Sequence, residues 1–191
     1  MNVVQIGTCK ANDDLPQYVR ENPVSKIVLV EPMEVHNDDI RNSYEGTPYT
    51  LENCAIVTND LKEMSFFYHK NDGPKFEVAS TSKQHILKHG YADDENLIEL
   101  NVPCMTINRL FDKHEMKKID YLFIDSEGLD EAIIKSINFD KYDIDQIYFE
   151  GLHINVHSTV EYLFNRGYGT EIGVGSNGWD CLATKILKNY A

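Results

Sequence analysis

Two stretches, KIVLVE at 26–31 and IDYLFID at 119–125, are apolar through most of their length. Each is long enough for a strand, and neither alternates cleanly between apolar and polar positions. A strand of that kind is covered on both faces. Covered strands lie in parallel sheets, and parallel neighbours need a helical crossover between them. These two segments therefore predict a doubly wound α/β fold with helices on both sides of a mostly parallel sheet.

The intervening sequence supplies the other elements. Val3–Ile6 is a short apolar strand, and Leu15–Asn22 reads as a helix. Asp13 or Asp14 caps it, Pro16 is tolerated in its first turn, and Pro23 closes it. A weaker helix is expected over Glu34–Ser43, after which TLEN leads to Cys54 and Ala55. Leu129, Ile133 and Ile137 recur at spacing four and predict an amphipathic helix after the second covered strand. QIYFE at 146–150 is a further strand. Ser158 and Glu161 form an S-x-x-E capping box before a helix whose apolar stripe is Val160, Leu163 and Phe164, and Gly167 stops it. TEIGV and CLATKI flank SNGWD, a C-terminal antiparallel hairpin with Asn177–Gly178 in the turn. Residues 60–104 break this rhythm. FFYHK, FEVAS and YADDENLIE predict an irregular insert with antiparallel pairing and long loops, the kind of segment that becomes a lid or binding loop. The whole chain, 1–191, reads as one domain.

Charge and cysteine usage narrow the function. With 18 Lys and Arg against 31 Asp and Glu, the formal charge is −13. The basic residues are scattered, so nucleic acid and anionic lipid are poor partners. Cys9, Cys54, Cys104 and Cys181 form no Cys-x-x-Cys pair, which removes the usual support for structural zinc or a redox dithiol. No signal peptide precedes the first strand, and no apolar run approaches the ~20 residues that span a bilayer. The expectation is a reduced cytoplasmic protein.

In an open α/β sheet, ligands bind beyond the carboxyl ends of the strands. Those ends carry Gly7, Glu31, Asn53, Asp125 and Glu150. Glu31 follows Gly7 by 24 residues, near the ~20-residue offset at which an acidic side chain grips ribose hydroxyls. A dinucleotide loop needs a second glycine for close approach of the pyrophosphate and a third for helix packing. Cys9 and Asn12 hold those places, and Asp13 and Asp14 would repel phosphate. S-adenosylmethionine has a ribose, no phosphate and a cationic amino group, and it suits this loop better.

The order QIG, VEP, NCA, VPCMTINRL, IDYLFIDSEG and YFEGLH resembles the FkbM-type group of class I S-adenosylmethionine-dependent methyltransferases, from Val3 to about Lys185. The resemblance implies a Rossmann-like fold and a methyl transfer from S-adenosylmethionine, leaving S-adenosylhomocysteine, to oxygen on a small molecule or saccharide. Carried over by position, Gln5 and Gly7 belong to the cofactor loop, with Thr8 and Cys9 beside the methionine moiety. Glu31 holds the ribose, and Pro32 and Met33 lie near the adenosine. Asn53, Cys54 and Ala55 line the adenine. Asp125 faces the methionine end, followed by Ser126 and Glu127. Gln5 stands where Asp is usual in the group, Cys9 where Asn is, and Ala11 where Gly is.

For the chemistry, a hydroxyl nucleophile benefits from a general base poised near neutral pH. Asp125, Glu150 and His153 lie at the ends of strands expected to be neighbours; His153 is assigned as the base and Asp125 as the orienting carboxylate. A divalent metal is compatible with these three side chains but is not favoured, and no metal ligands are assigned. The pairs His85/His89 and His153/His157 have helical spacing, but the first lacks the embedded Glu of a metalloprotease helix and His157 comes just before the Ser158 cap, so the second is not expected to be helical. Ser80, Thr81, Ser82, Lys83 and His85 lie on the insert, most simply as a solvated polar loop. Two alternatives remain: a cofactor-binding or scaffold homologue without turnover, favoured by the departures at Gln5, Cys9 and Ala11, and an NAD(P)-dependent oxidoreductase, disfavoured by the missing glycines.

Overall fold

A computed structural model describes residues 1–11, 13–70, 79–88, 93–126, 128–175 and 178–186. Its main sheet has seven strands: β1 (Asn2–Ile6), β2 (Lys26–Val30), β3 (Thr50–Glu52), β7 (Lys118–Ile124), β8 (Asp143–Phe149), β9 (Tyr168–Val174) and β10 (Asp180–Lys185). Their order is β3-β2-β1-β7-β8-β10-β9. The first five in that order are parallel, with Val4 opposite both Val28 and Leu122. β10 runs antiparallel to β8 and to β9, giving the expected C-terminal hairpin; Asn177 of its turn lies outside the described residues.

Helices pack on both faces of the sheet, as the apolar strands require. On one face Val4, Leu122, Ile124 and Phe149 pack with Leu110, Ile133 and Leu163. Those last three come from α4 (Ile107–Lys113), α5 (Asp130–Ser136) and α6 (Val156–Phe164). On the other face Val3, Ile27 and Leu29 pack with Leu15 and Val19 of α1 (Leu15–Glu21) and Ile40 of α2 (Asn37–Ser43). Full burial of each such side chain contributes roughly 1.5–3 kcal/mol.

The insert forms a second sheet, β4-β6-β5, from β4 (Ala55–Val57), β5 (Glu63–His69) and β6 (Leu97–Thr106). β5 and β6 are antiparallel, with Phe66 opposite Leu100, as the sequence of 60–104 predicts. A short helix, α3 (Lys83–Leu87), lies between them. Most of FEVAS lies outside the described residues, but Ser80 bridges to Phe67.

Several local readings need correction. The expected helix over 34–43 is a 3-10 turn, Glu34–His36, followed by α2. The Ser158 capping box does not form. Helix α6 starts at Val156, and the Asn155 side chain accepts the Ser158 N–H at 3.1 Å. An Asn immediately before the first helical residue, Val156, is as good a cap as Ser, and it starts the helix earlier. His157 is therefore helical, whereas His153 precedes the helix, so the two do not share a helix face. TLEN closes as β3, and α4 was not anticipated; the Thr106 hydroxyl caps it by accepting the Arg109 N–H at 3.3 Å. Asp14 makes no side-chain cap on α1, and Asp13 accepts the Leu15 N–H at 2.8 Å. None of the four cysteines forms a disulfide. Among the described residues, no helix is long and apolar enough to cross a membrane.

Candidate active site

The chain leaves β1 toward β2 on one side and returns to β7 on the other, so strand order reverses between β1 and β7. Loops at that switch point diverge and leave a crevice. The rim is tied closely. The N–H groups of Gly7 and Thr8 both donate to the Val30 carbonyl, at 3.0 and 3.1 Å. The Asp125 N–H donates to the Ile6 carbonyl at 3.0 Å. Gly7 has φ +76°, and a β-carbon there would meet the backbone of Asp125. Only glycine lets the chain turn this close to the end of β7.

A cavity of about 120 Å³ opens above this turn. Of the sequence-assigned residues, Gly7, Cys9, Glu31, Pro32, Met33, Cys54, Ala55, Asp125 and Ser126 line it. Glu31 ends β2 and is only 4% exposed. Its two oxygens accept the Cys9 N–H at 2.7 Å and the Met33 N–H at 2.8 Å. Burial pushes its carboxyl up to about 7, against these two hydrogen bonds, which lower it. Each carboxylate oxygen keeps a further lone pair, and a vicinal diol can donate to both. No Lys or Arg lines the cavity among the described residues; His36 is the basic side chain in its wall.

The remaining assigned residues fall elsewhere. Thr8 is buried, with its hydroxyl donating to the Val30 carbonyl at 3.3 Å. Asn53 donates to the Glu31 carbonyl at 2.9 Å and exchanges hydrogen bonds with Asn37, so it fastens the end of β2. Gln5 points to the α1 side of the sheet, where its amide donates to Asp13 and accepts the Tyr44 hydroxyl at 3.3 Å. Burial raises the Asp13 carboxyl, against hydrogen bonds from Leu15 and Gln5 that lower it. Glu127 lies outside the described residues. Glu150 and Asp125 line a second crevice, on the α1 side. His153 lines neither space. It is exposed on the loop after β8, packed over Gly128, and its ring stands edge-on to that of His85 at 6.1 Å.

The insert contributes more than a polar loop. Phe66 and Ala79 complete the cavity wall. Ser80, Thr81, Ser82 and His85 line an adjoining space with Ser126 and Gly128, while Lys83 turns away to pair with Asp94 at 2.8 Å. His89 lies outside the described residues.

Two residues were missed. His36, buried in the cavity wall, places Nε2 3.9 Å from the Cys9 sulfur. Asp130 is fully buried at the start of α5 and ties two strand ends together. It accepts the Ser126 N–H and hydroxyl at 3.3 and 3.2 Å, and the Glu150 N–H at 3.3 Å. Burial first, and the charge of Asp125 next, push its carboxyl up to about 7, against the backbone hydrogen bonds. The sequence carried a sign of it: Asp130, Ile133, Ile134 and Ile137 form one helical stripe, and an acid in an apolar stripe is buried for a reason.

The model of the methyltransferase FkbM domain matches residues 5–169. Among solved structures, the fold is similar to that of methyltransferase FkbM from Methylobacillus flagellatus KT, with a TM-score of 0.57 and 12% identity. That match covers 96% of this chain and 43% of the other, so this chain spans less than half of that protein's length. A ribosomal protein L11 methylase from Lactobacillus delbrueckii subsp. bulgaricus matches more loosely, at a TM-score of 0.44 and 10% identity over 96% of this chain and 70% of that one. No curated protein matches.

Proposed function

The chain belongs to the family of FkbM methyltransferase domains, and we propose that it transfers a methyl group from S-adenosylmethionine to a hydroxyl of a small molecule or saccharide in the cytoplasm. The observation that carries the cofactor is Glu31, a buried carboxylate in the wall of a cavity with no Lys or Arg in its described lining. The residues fit the group. Glu31 would take the ribose hydroxyls, Cys54 and Ala55 would border the base, and Gly7 and Asp125 would lie at the amino-acid end.

When bound, S-adenosylmethionine would supply a methyl group from a sulfonium whose sulfur keeps the bonding pair and becomes a neutral thioether, the positive charge ending on the hydroxyl proton. The acceptor oxygen would form the O–CH3 bond as the S–CH3 bond breaks, and a base on the protein would take its proton. The protein's larger task is to hold the acceptor in line. Asp125 borders both the cavity and the α1-side crevice, and it orients the acceptor between them. Glu150 lines that crevice with its backbone fixed by Asp130, and it is placed to take the proton. His153, exposed beside His85, is the second choice.

Calorimetric titration with S-adenosylmethionine, S-adenosylhomocysteine and NAD tests the reading. Binding of both sulfur compounds and not NAD is expected. Binding of NAD alone would overturn it, and cofactor binding without product across a panel of hydroxylated acceptors would leave a scaffold.

A further inference from the structure

Helix α1 leaves part of its face of the sheet open over β7 and β8, where Tyr121, Phe123 and Tyr148 are half-buried. With Tyr18 of α1 they form a continuous run of rings. Centroids lie 5.8 Å apart for Tyr18–Tyr121, 4.7 Å for Tyr121–Phe123 and 4.6 Å for Phe123–Tyr148. These rings floor a crevice of about 480 Å³, within the range of small-ligand pockets. Ile6 and Asp125 line both this crevice and the smaller cavity, so the two spaces share a wall.

The rim of the crevice carries Asp13, Asp14, Asp125, Glu150 and Asp180, and among the described residues no Lys, Arg or His lines it. Asp180 is the most telling of these. It is 8% exposed, and its Oδ2 accepts the Tyr148 hydroxyl at 2.7 Å, which holds the carboxylate at the end of the row of rings. A carboxylate beside a row of rings, in a crevice lined by other acids, favours a partner that carries positive charge. Aromatic faces present negative charge to whatever lies on them and attract cations. The carboxylates are spread around the rim; among the described residues no three acidic, His or Cys side chains are grouped to hold a metal ion. The complementary group is thus an organic cation with a body broad enough to lie on rings.

We propose that this crevice seats the methyl acceptor, and that the acceptor carries a positively charged nitrogen, a protonated amine, which meets Asp180 and the face of Tyr148. The proposal rests on the methyl-transfer reading above and names the class of molecule that reading leaves open.

The test uses the intact chain saturated with S-adenosylhomocysteine and three probes of one shape: benzylamine, benzyl alcohol and benzoate. Benzylamine is expected to bind about tenfold or more tightly than benzyl alcohol, with benzoate not binding, and the advantage should shrink as salt rises. Asp180→Asn should erase the preference for the amine while leaving benzyl alcohol binding unchanged. Equal binding of amine and alcohol by the unmutated chain overturns the proposal, and that comparison requires no variant to fold. Displacement of benzylamine by S-adenosylhomocysteine also overturns it, because the cation site then belongs to the cofactor's own ammonium. If S-adenosylhomocysteine does not bind but the amine preference persists, the cation site stands and the methyl-transfer reading falls.

Discussion

A β-carbon on Gly7 would lie 1.7 Å from the carbonyl oxygen of Asp125. The end of β1 and the end of β7 are in contact through a position with no side chain, and the φ of +76° there disfavours other residues on independent grounds. Neither obstacle is relieved by moving a flexible side chain, because the obstructing atom is backbone. Gly7→Ala is expected to destabilise the protein by more than about 3 kcal/mol and to abolish S-adenosylhomocysteine binding even where folded protein is recovered. Urea unfolding and calorimetry measure the two effects separately.

Glu31 and Asp130 make stability depend on pH in an unusual direction. Both carboxyls stand at about 7 in the folded chain, against ordinary values of 4.5 and 3.8. The native state therefore holds these protons more tightly than the unfolded state does. Stability contributed by each is fully present below the unfolded value and is lost as pH rises toward 7, of order 3 kcal/mol for each group. Glu31→Gln should flatten that slope in urea titrations between pH 4 and 8. Ribose hydroxyls donate to the ionised form, so S-adenosylhomocysteine affinity should rise as pH rises through about 7 and then level. Calorimetry in two buffers near pH 6.5 should show proton release on binding, absent in Glu31→Gln.

The covered strands announced the main sheet because their residues are buried on two faces, and burial is what hydrophobic pattern records. Gly7 and Glu31 were legible for a related reason, since backbone conformation and strand-end position constrain residue type directly. Other features depended on contacts distant in sequence. Gln5 sits on the first strand, as expected, but the strand's pleat turns it to the α1 side, where Asp13 and Tyr44 hold it. The wall formed by Phe66 and Ala79 requires the insert to fold back over the cavity. The shift of the α6 start from Ser158 to Asn155 is a competition between two good caps, which short-range pattern does not resolve.

Cys9 and Ala11 both adopt left-handed backbone, with φ of 46° and 53°. Such a conformation costs a non-glycine residue roughly 1–2 kcal/mol. Cys9 is only partly buried, so Cys9→Gly should relieve strain at little packing cost and stabilise the protein by up to about 1 kcal/mol. Ala11 is buried against the α1 side of the core, and losing its methyl offsets the same relief. Ala11→Gly should be close to neutral. Thermal unfolding of the two variants side by side checks the contrast.

Asn155 and Ser158 offer a test of what starts α6. Asn155→Ala removes the side chain that accepts the Ser158 N–H and should cost about 1 kcal/mol. Ser158→Ala removes only a hydroxyl that accepts from Lys135 at 2.7 Å on the surface. That change should fall within about 0.5 kcal/mol of the unmutated chain. Equal losses in urea unfolding would return the cap to Ser158.

Position separates Glu150 from His153 as proposed proton acceptors. Glu150 lines the crevice that shares Asp125 with the cofactor cavity, and Asp130 fixes its backbone N–H. His153 lies on the exposed loop beyond, beside His85 and outside the walls of both spaces. A base must come within hydrogen-bond reach of the hydroxyl it deprotonates, directly or through one water. With an acceptor seated in the crevice, Glu150→Gln should lower turnover by about 10²-fold or more while leaving S-adenosylhomocysteine affinity within about twofold, because Glu150 does not line the cofactor cavity. His153→Ala should leave both quantities nearly unchanged. The inverse result, with turnover lost only in His153→Ala and its pH profile stripped of an imidazole limb, would place the acceptor under the insert, between His85 and Ser126.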